Sequence, residues 1–209
     1  MKINFIENIK NRIGLYFNSP LHKGKHKDFI FIHINKTGGT SVINIIGKPF
    51  RKHLTAKQVI QHIGQKKWNA AYKFTVVRNP WDKVVSQYKF RIRTNKSKMA
   101  EQKISFKNWV IKVFKEKNSF YYGGRPQMYI PQVEWLKNTE GDIDIDNILR
   151  FENITEDYKH VAKLLKINQS LPHLNSTQKS NYRDFYDDET KLIISEWFKE
   201  DIKQFGYKF

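Results

Sequence analysis

The sequence predicts an α/β fold built on a mostly parallel sheet, and three observations lead there. The run "DFIFIHI" (28–34) is short, apolar and rich in β-branched and aromatic residues, which suits a strand covered on both faces; "AYKFTVV" (71–77) reads as a second buried strand. Each is followed by a segment whose apolar residues recur at helical spacing. No repeat, Ser/Gly linker or low-complexity block interrupts this alternation, which is the pattern of one domain with crossover helices.

Taken in order, residues 1–27 form a polar, basic arm ending in "HKGKHK", and the domain proper runs from 28 to 209. Within the arm, Phe5, Ile6, Ile9, Ile13, Tyr16 and Phe17 share a helical face, with Lys2, Lys10 and Arg12 between them. The simplest reading is a helix packed on its own domain; peripheral contact with a membrane surface is the alternative. After the first strand, "TSVINIIG" places Val42, Ile45 and Ile46 on one helical face, with Gly47 as a stop and Pro49 beyond it. Residues 51–70 are helical in part, through Val59, Ile60 and Ile63. The second strand ends at Asn79-Pro80, and Asp82 starts the helix "DKVVSQYKFRIR". Ser105 opens an amphipathic helix, "SFKNWVIKVFKEK". "PQVEWLKNTEGDIDIDNILRFENI" reads as a short element, a glycine turn and a strand ending near Phe151. "TEDYKHVAKLLKI" opens on a Thr-x-x-Tyr cap and turns Val161, Leu164 and Leu165 inward, and "DDETKLIISEWFKEDIKQFGYKF" is one last helix closed by Gly206.

With 209 residues, 39% of them hydrophobic and 14% aromatic, the chain has material for one full core. The lack of cysteine excludes disulfides, a thiol nucleophile and a thiolate zinc site. There is no run of about 18 apolar residues, and the first twenty residues lack the uncharged core of a secretory signal. The expectation is a cytoplasmic protein, with the inner membrane face as the place where the arm would make any peripheral contact. The net charge of +18 is uneven: between Lys83 and Lys117 eleven Lys/Arg face Glu101 and Glu116, whereas between Glu134 and Asp157 eight acids face Lys137 and Arg150. A positive sector of this kind attracts polyanions, the plain alternative being a solvated lysine-rich face. Nothing in the pattern speaks to oligomeric state.

The junction between the first strand and its helix reads Lys36-Thr37-Gly38-Gly39-Thr40-Ser41. A glycine turn that feeds a helix presents free backbone N–H groups at the positive end of the helix dipole, which is an anion site. The glycines admit an oxyanion without a Cβ in the way, Thr40 and Ser41 add hydroxyls, and Lys36 adds a full charge. The order differs from G-x-x-x-x-G-K-[ST], because the lysine precedes the glycines. The second strand ends in Arg78, where a nucleotide triphosphatase would carry its magnesium-binding aspartate, so the expected chemistry is group transfer without a metal. In "VVRNPWDKVVSQY" (76–88) Ser86 follows Arg78 by eight residues; in a parallel sheet both lie at the same edge as the glycine turn, and a guanidinium with a hydroxyl suits a terminal phosphate.

Together, "FIHINKTGGTS" and "VVRNPWDKVVSQY" resemble the 5′-phosphosulfate loop and the 3′-phosphate motif of sulfotransferases that use 3′-phosphoadenosine-5′-phosphosulfate (PAPS). The resemblance is in particular to the carbohydrate branch that includes the heparan sulfate 2-O-sulfotransferases and small bacterial relatives. The 42-residue step from Lys36 to Arg78 fits that branch, and "LRFENITEDY", "LPHLNSTQKSNYRDFY" and "DIKQFGYKF" extend the likeness from about Phe29 to Phe209. Asn35 departs from it, standing where such loops usually carry proline.

The resemblance implies a P-loop-like three-layer domain, PAPS as donor cosubstrate and no metal. It implies that Lys36 sits by the bridging oxygen, that Thr37, Gly38, Gly39, Thr40 and Ser41 hold the 5′-phosphate, and that Arg78 and Ser86 bind the 3′-phosphate. An acceptor hydroxyl needs a base that titrates near neutrality, for which histidine is the natural choice. His53, in "RKHLTAKQV" between the two motifs, is the candidate, and the 2-O-sulfotransferases resemble this in placing their histidine shortly before the second motif. His33, inside the first strand, is expected in the core; Glu134 is the carboxylate rival. Lys179 in "NSTQKSNY" is a further phosphate candidate, and Arg125 in "YYGGRPQ" and His173 in "LPHLNS" are candidate acceptor contacts. The expected acceptor is a saccharide or glycolipid hydroxyl, anionic by the argument from charge. The competing readings are a P-loop kinase of the same fold and a basic nucleic-acid-binding protein. Against the latter, the basic residues are not interleaved with stacking aromatics, so no nucleic-acid partner is expected.

Overall fold

The computed structural model describes residues 29–47, 52–171 and 181–209; the N-terminal arm, His173 and Lys179 lie outside the described residues. In chain order the elements are β1 (Phe29–Ile32), α1 (Gly39–Ile46), α2 (Ala56–Ile63), α3 (Gln65–Ala70), β2 (Tyr72–Val77), α4 (Pro80–Arg93), α5 (Phe106–Val110), α6 (Ser119–Tyr122), α7 (Gln132–Leu136), β3 (Asn147–Arg150), α8 (Ile154–Leu164), α9 (Asp188–Trp197) and α10 (Lys199–Phe205). They fall into two compact units, one holding the described residues up to Val77 and from Glu134 to Leu171, the other those from Arg78 to Val133 and from Asn181 onward.

The first unit carries the sheet, ordered β1-β2-β3 with both pairings parallel: Ile32 stands opposite Thr75, and Val77 opposite Arg150. Parallel neighbours need a crossover, and α1 to α3 supply it between β1 and β2. Phe29, Phe74, Val76 and Leu149 from the strands pack with Val42, Ile43 and Ile46 of α1 and with Tyr158, Val161 and Ala162 of α8. The predicted α/β fold is the observed one, an open parallel sheet flanked by helices. Phe74 is fully buried at the centre, its ring 4.9 Å from Phe31 and 5.9 Å from Phe29.

Local chemistry explains the boundaries. Thr55 opens α2 with a capping box completed by Gln58. The acidic stretch before β3 ties down the start of β2. Asp146 accepts the Lys73 N–H at 2.6 Å, Asp144 accepts the Trp68 indole N–H at 2.7 Å, and the buried Lys73 ammonium lies 3.5 and 3.6 Å from the two carboxylates. In α8 two expectations change. The helix begins at Ile154 with Asn153 at the cap, so Thr155 falls inside the first turn. Tyr158, Val161, Ala162 and Leu165 form the inward stripe, and Leu164, rotated off it, is 52% exposed.

In the second unit α4 starts at Pro80, two residues before the predicted Asp82. Asn79 caps it by accepting the Trp81 N–H at 3.1 Å, and proline fits the first helical position because that N–H would have no partner. Ser105 caps α5 as predicted, and the chain continues through one π turn at Ile111–Lys115. The last helix is two: α9, capped by Asp187, breaks at Phe198, and α10 ends at Gly206 in the left-handed region (φ 64°). The C-terminus is clasped onto the start of α4, with the Phe209 ring 5.5 Å from Trp81 and the Asn79 side-chain amide donating to the Lys208 carbonyl at 2.9 Å. No described helix is long and apolar enough to cross a membrane.

Phe74→Ala is expected to lower the unfolding free energy by about 3–5 kcal/mol, since the helices on either flank cannot close the void. Urea denaturation of the variant against the parent measures this.

Candidate functional site

The chain leaves β1 through His33, Ile34 and Asn35, all buried, and turns at Lys36, whose φ of 65° sends its half-buried side chain off the strand line. Thr37 is fully buried and its hydroxyl donates to the Ile34 carbonyl at 2.9 Å, so Thr37 can serve an anion only through its backbone N–H. Ser41 bonds back from its N–H to the Gly38 carbonyl at 3.0 Å, which leaves the N–H groups of Gly38, Gly39 and Thr40 at the open end of an eight-residue helix. Thr40 is exposed and Ser41 buried. No acidic residue occupies the first turn of α1, so no carboxylate there opposes an anion.

The glycines also have a steric reason within the protein itself. A Cβ on Gly39 would lie 2.3 Å from Cδ2 and 2.5 Å from Nε2 of His33, and one on Gly38 would lie 2.7 Å from the Phe151 ring. Gly38 also takes φ 79°, a left-handed conformation that favours glycine. The protein's own rings exclude side chains from these two positions.

His53 reaches the same place from the segment before α2. Its Nδ1 lies 3.0 Å from the His33 carbonyl oxygen, its ring 4.4 Å from the His33 ring, and the edge of Trp135 stands 6.3 Å away. A carbonyl only accepts, so Nδ1 carries the proton and the lone pair of the neutral ring is on Nε2. That is the tautomer a general base needs. The φ of 63° at His53 aims the ring; Asn95 and Lys103 adopt similar values in surface turns, so the angle by itself marks no site. His33 is in the core, as expected, at 6% exposure; burial first, then the charges of His53 and Lys52, pushes its pKa down to about 3, so it stays neutral.

β1 and β2 are parallel neighbours, so the chain leaves both at one edge of the sheet, and Arg78 is the first residue after β2. In the second unit the Arg78 guanidinium meets Asp82 through Nε at 2.9 Å and Nη2 at 2.8 Å. Asp82, read from the sequence as the helix opener, is thus the arginine's i+4 partner, a spacing that was visible in advance. Ser86 is half-buried on α4. The Arg78 peptide is held by Gln132, and Gln132 by Asp201, two residues the sequence reading missed because nothing local links positions 69 apart. Arg125 is exposed, and Glu134 is paired with Lys137 on the next turn.

The chain matches the model of the Sulfotransferase family over residues 22–208. It belongs to that family. No curated protein and no solved structure matches the chain. Membership of the family gives the sulfotransferase its reaction type, sulfuryl transfer.

The neutral His33 makes the stability of the sulfotransferase depend on pH. Its folded pKa is about 3 against an ordinary 6.5, so between those values the unfolded chain holds a proton that the folded one does not. Stability from this group is complete above about pH 6.5 and is lost as the pH falls, with a slope of at most about 1.4 kcal/mol per pH unit. Denaturant titrations from pH 6.5 to 4 are expected to show a slope shallower by close to one proton in His33→Gln than in the parent.

Proposed function

We propose that this sulfotransferase moves a sulfuryl group from PAPS to a hydroxyl of an anionic saccharide or glycolipid, in the manner of the carbohydrate branch it resembles. The observation that carries the reading is the His53 ring, fixed on the His33 carbonyl with Nε2 as its acceptor nitrogen, where the chain leaves β1 for the glycine turn. The residues fit the donor: three N–H groups at the open end of α1 suit a 5′-phosphate, and the arginine after β2 suits a 3′-phosphate.

When bound, PAPS supplies the sulfuryl group and a phosphate able to leave. His53 Nε2 takes the proton of the acceptor hydroxyl as its oxygen bonds to sulfur. The bond from sulfur to the bridging oxygen breaks, its electron pair stays on the phosphate, and the Lys36 ammonium and the N–H groups of α1 stabilise that charge. Ser41 lends its hydroxyl at the same helix end, while Arg78, steadied by Asp82, and Ser86 hold the 3′-phosphate and so select this nucleotide over a plain adenylate.

The acceptor's sign is argued from the second unit. Of the basic sector, Lys83 and Arg91 are buried, and Lys107, Lys112 and Lys115 sit in ion pairs with Asp187, Glu189 and Glu116. Arg93, Lys96, Lys98 and Lys103 are exposed in and after the last turn of α4, which gives an anionic glycan a cluster to meet. A cytoplasmic site of action, with the basic arm against an anionic membrane face, belongs to the same proposal and rests on the charge alone.

The direct test is transfer of labelled sulfate from PAPS to a panel of polysaccharides and cell-envelope extracts. The parent is expected to label an anionic glycan, and His53→Ala to cut the rate by about 10²-fold or more while still binding adenosine 3′,5′-bisphosphate. A near-normal rate in that variant puts the base elsewhere. Arg78→Ala is expected to weaken the bisphosphate by about 10- to 100-fold and adenosine 5′-phosphate hardly at all, measured by calorimetry. Equal losses for the two nucleotides take Arg78 out of the 3′-phosphate role.

A further inference from the structure

The peptide of Arg78 lies just beyond the last ladder pair of β2, Val77 opposite Arg150, where sheet hydrogen bonds stop. The side chain of Gln132 takes over there. Its Oε1 accepts the Arg78 N–H at 2.9 Å and its Nε2 donates to the Arg78 carbonyl at 2.8 Å, so one carboxamide grips both sides of a single residue. Gln132 is fully buried, and so is Asp201, which accepts three N–H groups: Gln132 N at 2.8 Å, Gln132 Nε2 at 3.1 Å and Val133 N at 2.9 Å.

This arrangement allows one orientation of the amide. Flipped, Oε1 would face the Asp201 carboxylate and Nε2 would face the Arg78 N–H, giving two repulsive contacts inside a dry interior. The buried Lys83 from α4 supplies the counter-charge. Burial pushes its pKa down to about 8 against the pull of Asp201, and pushes the Asp201 carboxyl up against its three N–H donors. Burying an amide, a carboxylate and an ammonium together costs more than an apolar core would, and breaking such a set is costlier still. What that set holds in place is the residue from which the guanidinium departs.

We propose that Gln132, locked by Asp201, is the positioning residue that sets the Arg78 guanidinium for the 3′-phosphate of the donor; this rests on the phosphate role given to Arg78 above. Gln132 touches no ligand. It fixes the backbone at Arg78, while Asp82 fixes the side chain from α4, and the two constraints leave the guanidinium one direction. A role in stability alone would leave the choice between nucleotides untouched.

Calorimetry on the full chain, with adenosine 3′,5′-bisphosphate and adenosine 5′-phosphate as probes, separates the two. Gln132→Met keeps the volume and removes both bonds to Arg78. It is expected to reduce the preference for the bisphosphate by about tenfold, with the affinity for the monophosphate within about twofold of the parent. Asp201→Asn, which keeps the shape and loses the charge, is measured in the same way and is expected to shift the preference in the same direction. Should Gln132→Met fail to fold, Asp201→Asn decides. An unchanged preference in a folded variant, with Arg78→Ala abolishing it, overturns the positioning role and leaves the Arg78 assignment standing. A parent with no preference for the bisphosphate overturns both.

Discussion

The imidazole of His33 occupies the volume that a side chain at position 39 would need, and the glycine turn takes its form around that ring. With atoms of the ring 2.3 and 2.5 Å from a would-be Cβ, residue 39 has to be glycine for steric reasons alone. The close approach lets α1 begin immediately behind β1 and leaves its first N–H groups open at the end of the strand. The same residue's carbonyl holds Nδ1 of His53, so one position shapes the open helix end and sets the tautomer of the proposed base. Its own ring stays uncharged because it is buried and flanked by His53 and Lys52.

The second unit solves a different problem, the satisfaction of charges that have left water. Asp201 is fully buried and takes three N–H donors, and Lys83 stands nearby with its ammonium 5.4 Å from the Phe198 ring. Neither group would be tolerated alone in an interior where the Lys83 ammonium lies over the buried Phe198 ring. The aromatic packing and the polar set are therefore interdependent: the rings exclude water, and exclusion of water gives each hydrogen bond its direction and strength.

Formal charge along the chain turns out to be divided between inside and outside. The acidic stretch before β3 lies at the surface and still has structural work: Asp144 and Asp146 anchor the start of β2 through Trp68 and Lys73, and Asp157 accepts the Arg150 N–H at 2.7 Å. The basic sector is divided, with Lys83 and Arg91 inward and Lys89, Arg93, Lys96, Lys98, Lys103, Lys107, Lys115 and Lys117 outward. Only the outward part can act on a partner.

What the sequence determined by itself is whatever depends on neighbours along the chain. The strands β1 and β2, the cap at Ser105, the stop at Gly206, the glycine turn with its lysine and the arginine after β2 were all legible, because a few consecutive residues set backbone angles, caps and periodicity. Where two local signals competed, the reading slipped: Asn79 rather than Asp82 caps α4 because Pro80 suits the first helical position, and of the two leucines read as inward only Leu165 faces the core, because Tyr158 and Val161 set the stripe. Tertiary structure alone decided that His33 excludes a side chain at Gly39, that its carbonyl orients His53, and that Gln132 and Asp201 brace Arg78. Those contacts join residues 6 to 69 positions apart, and a hydrogen bond or a steric clash across such distances leaves no periodicity to read.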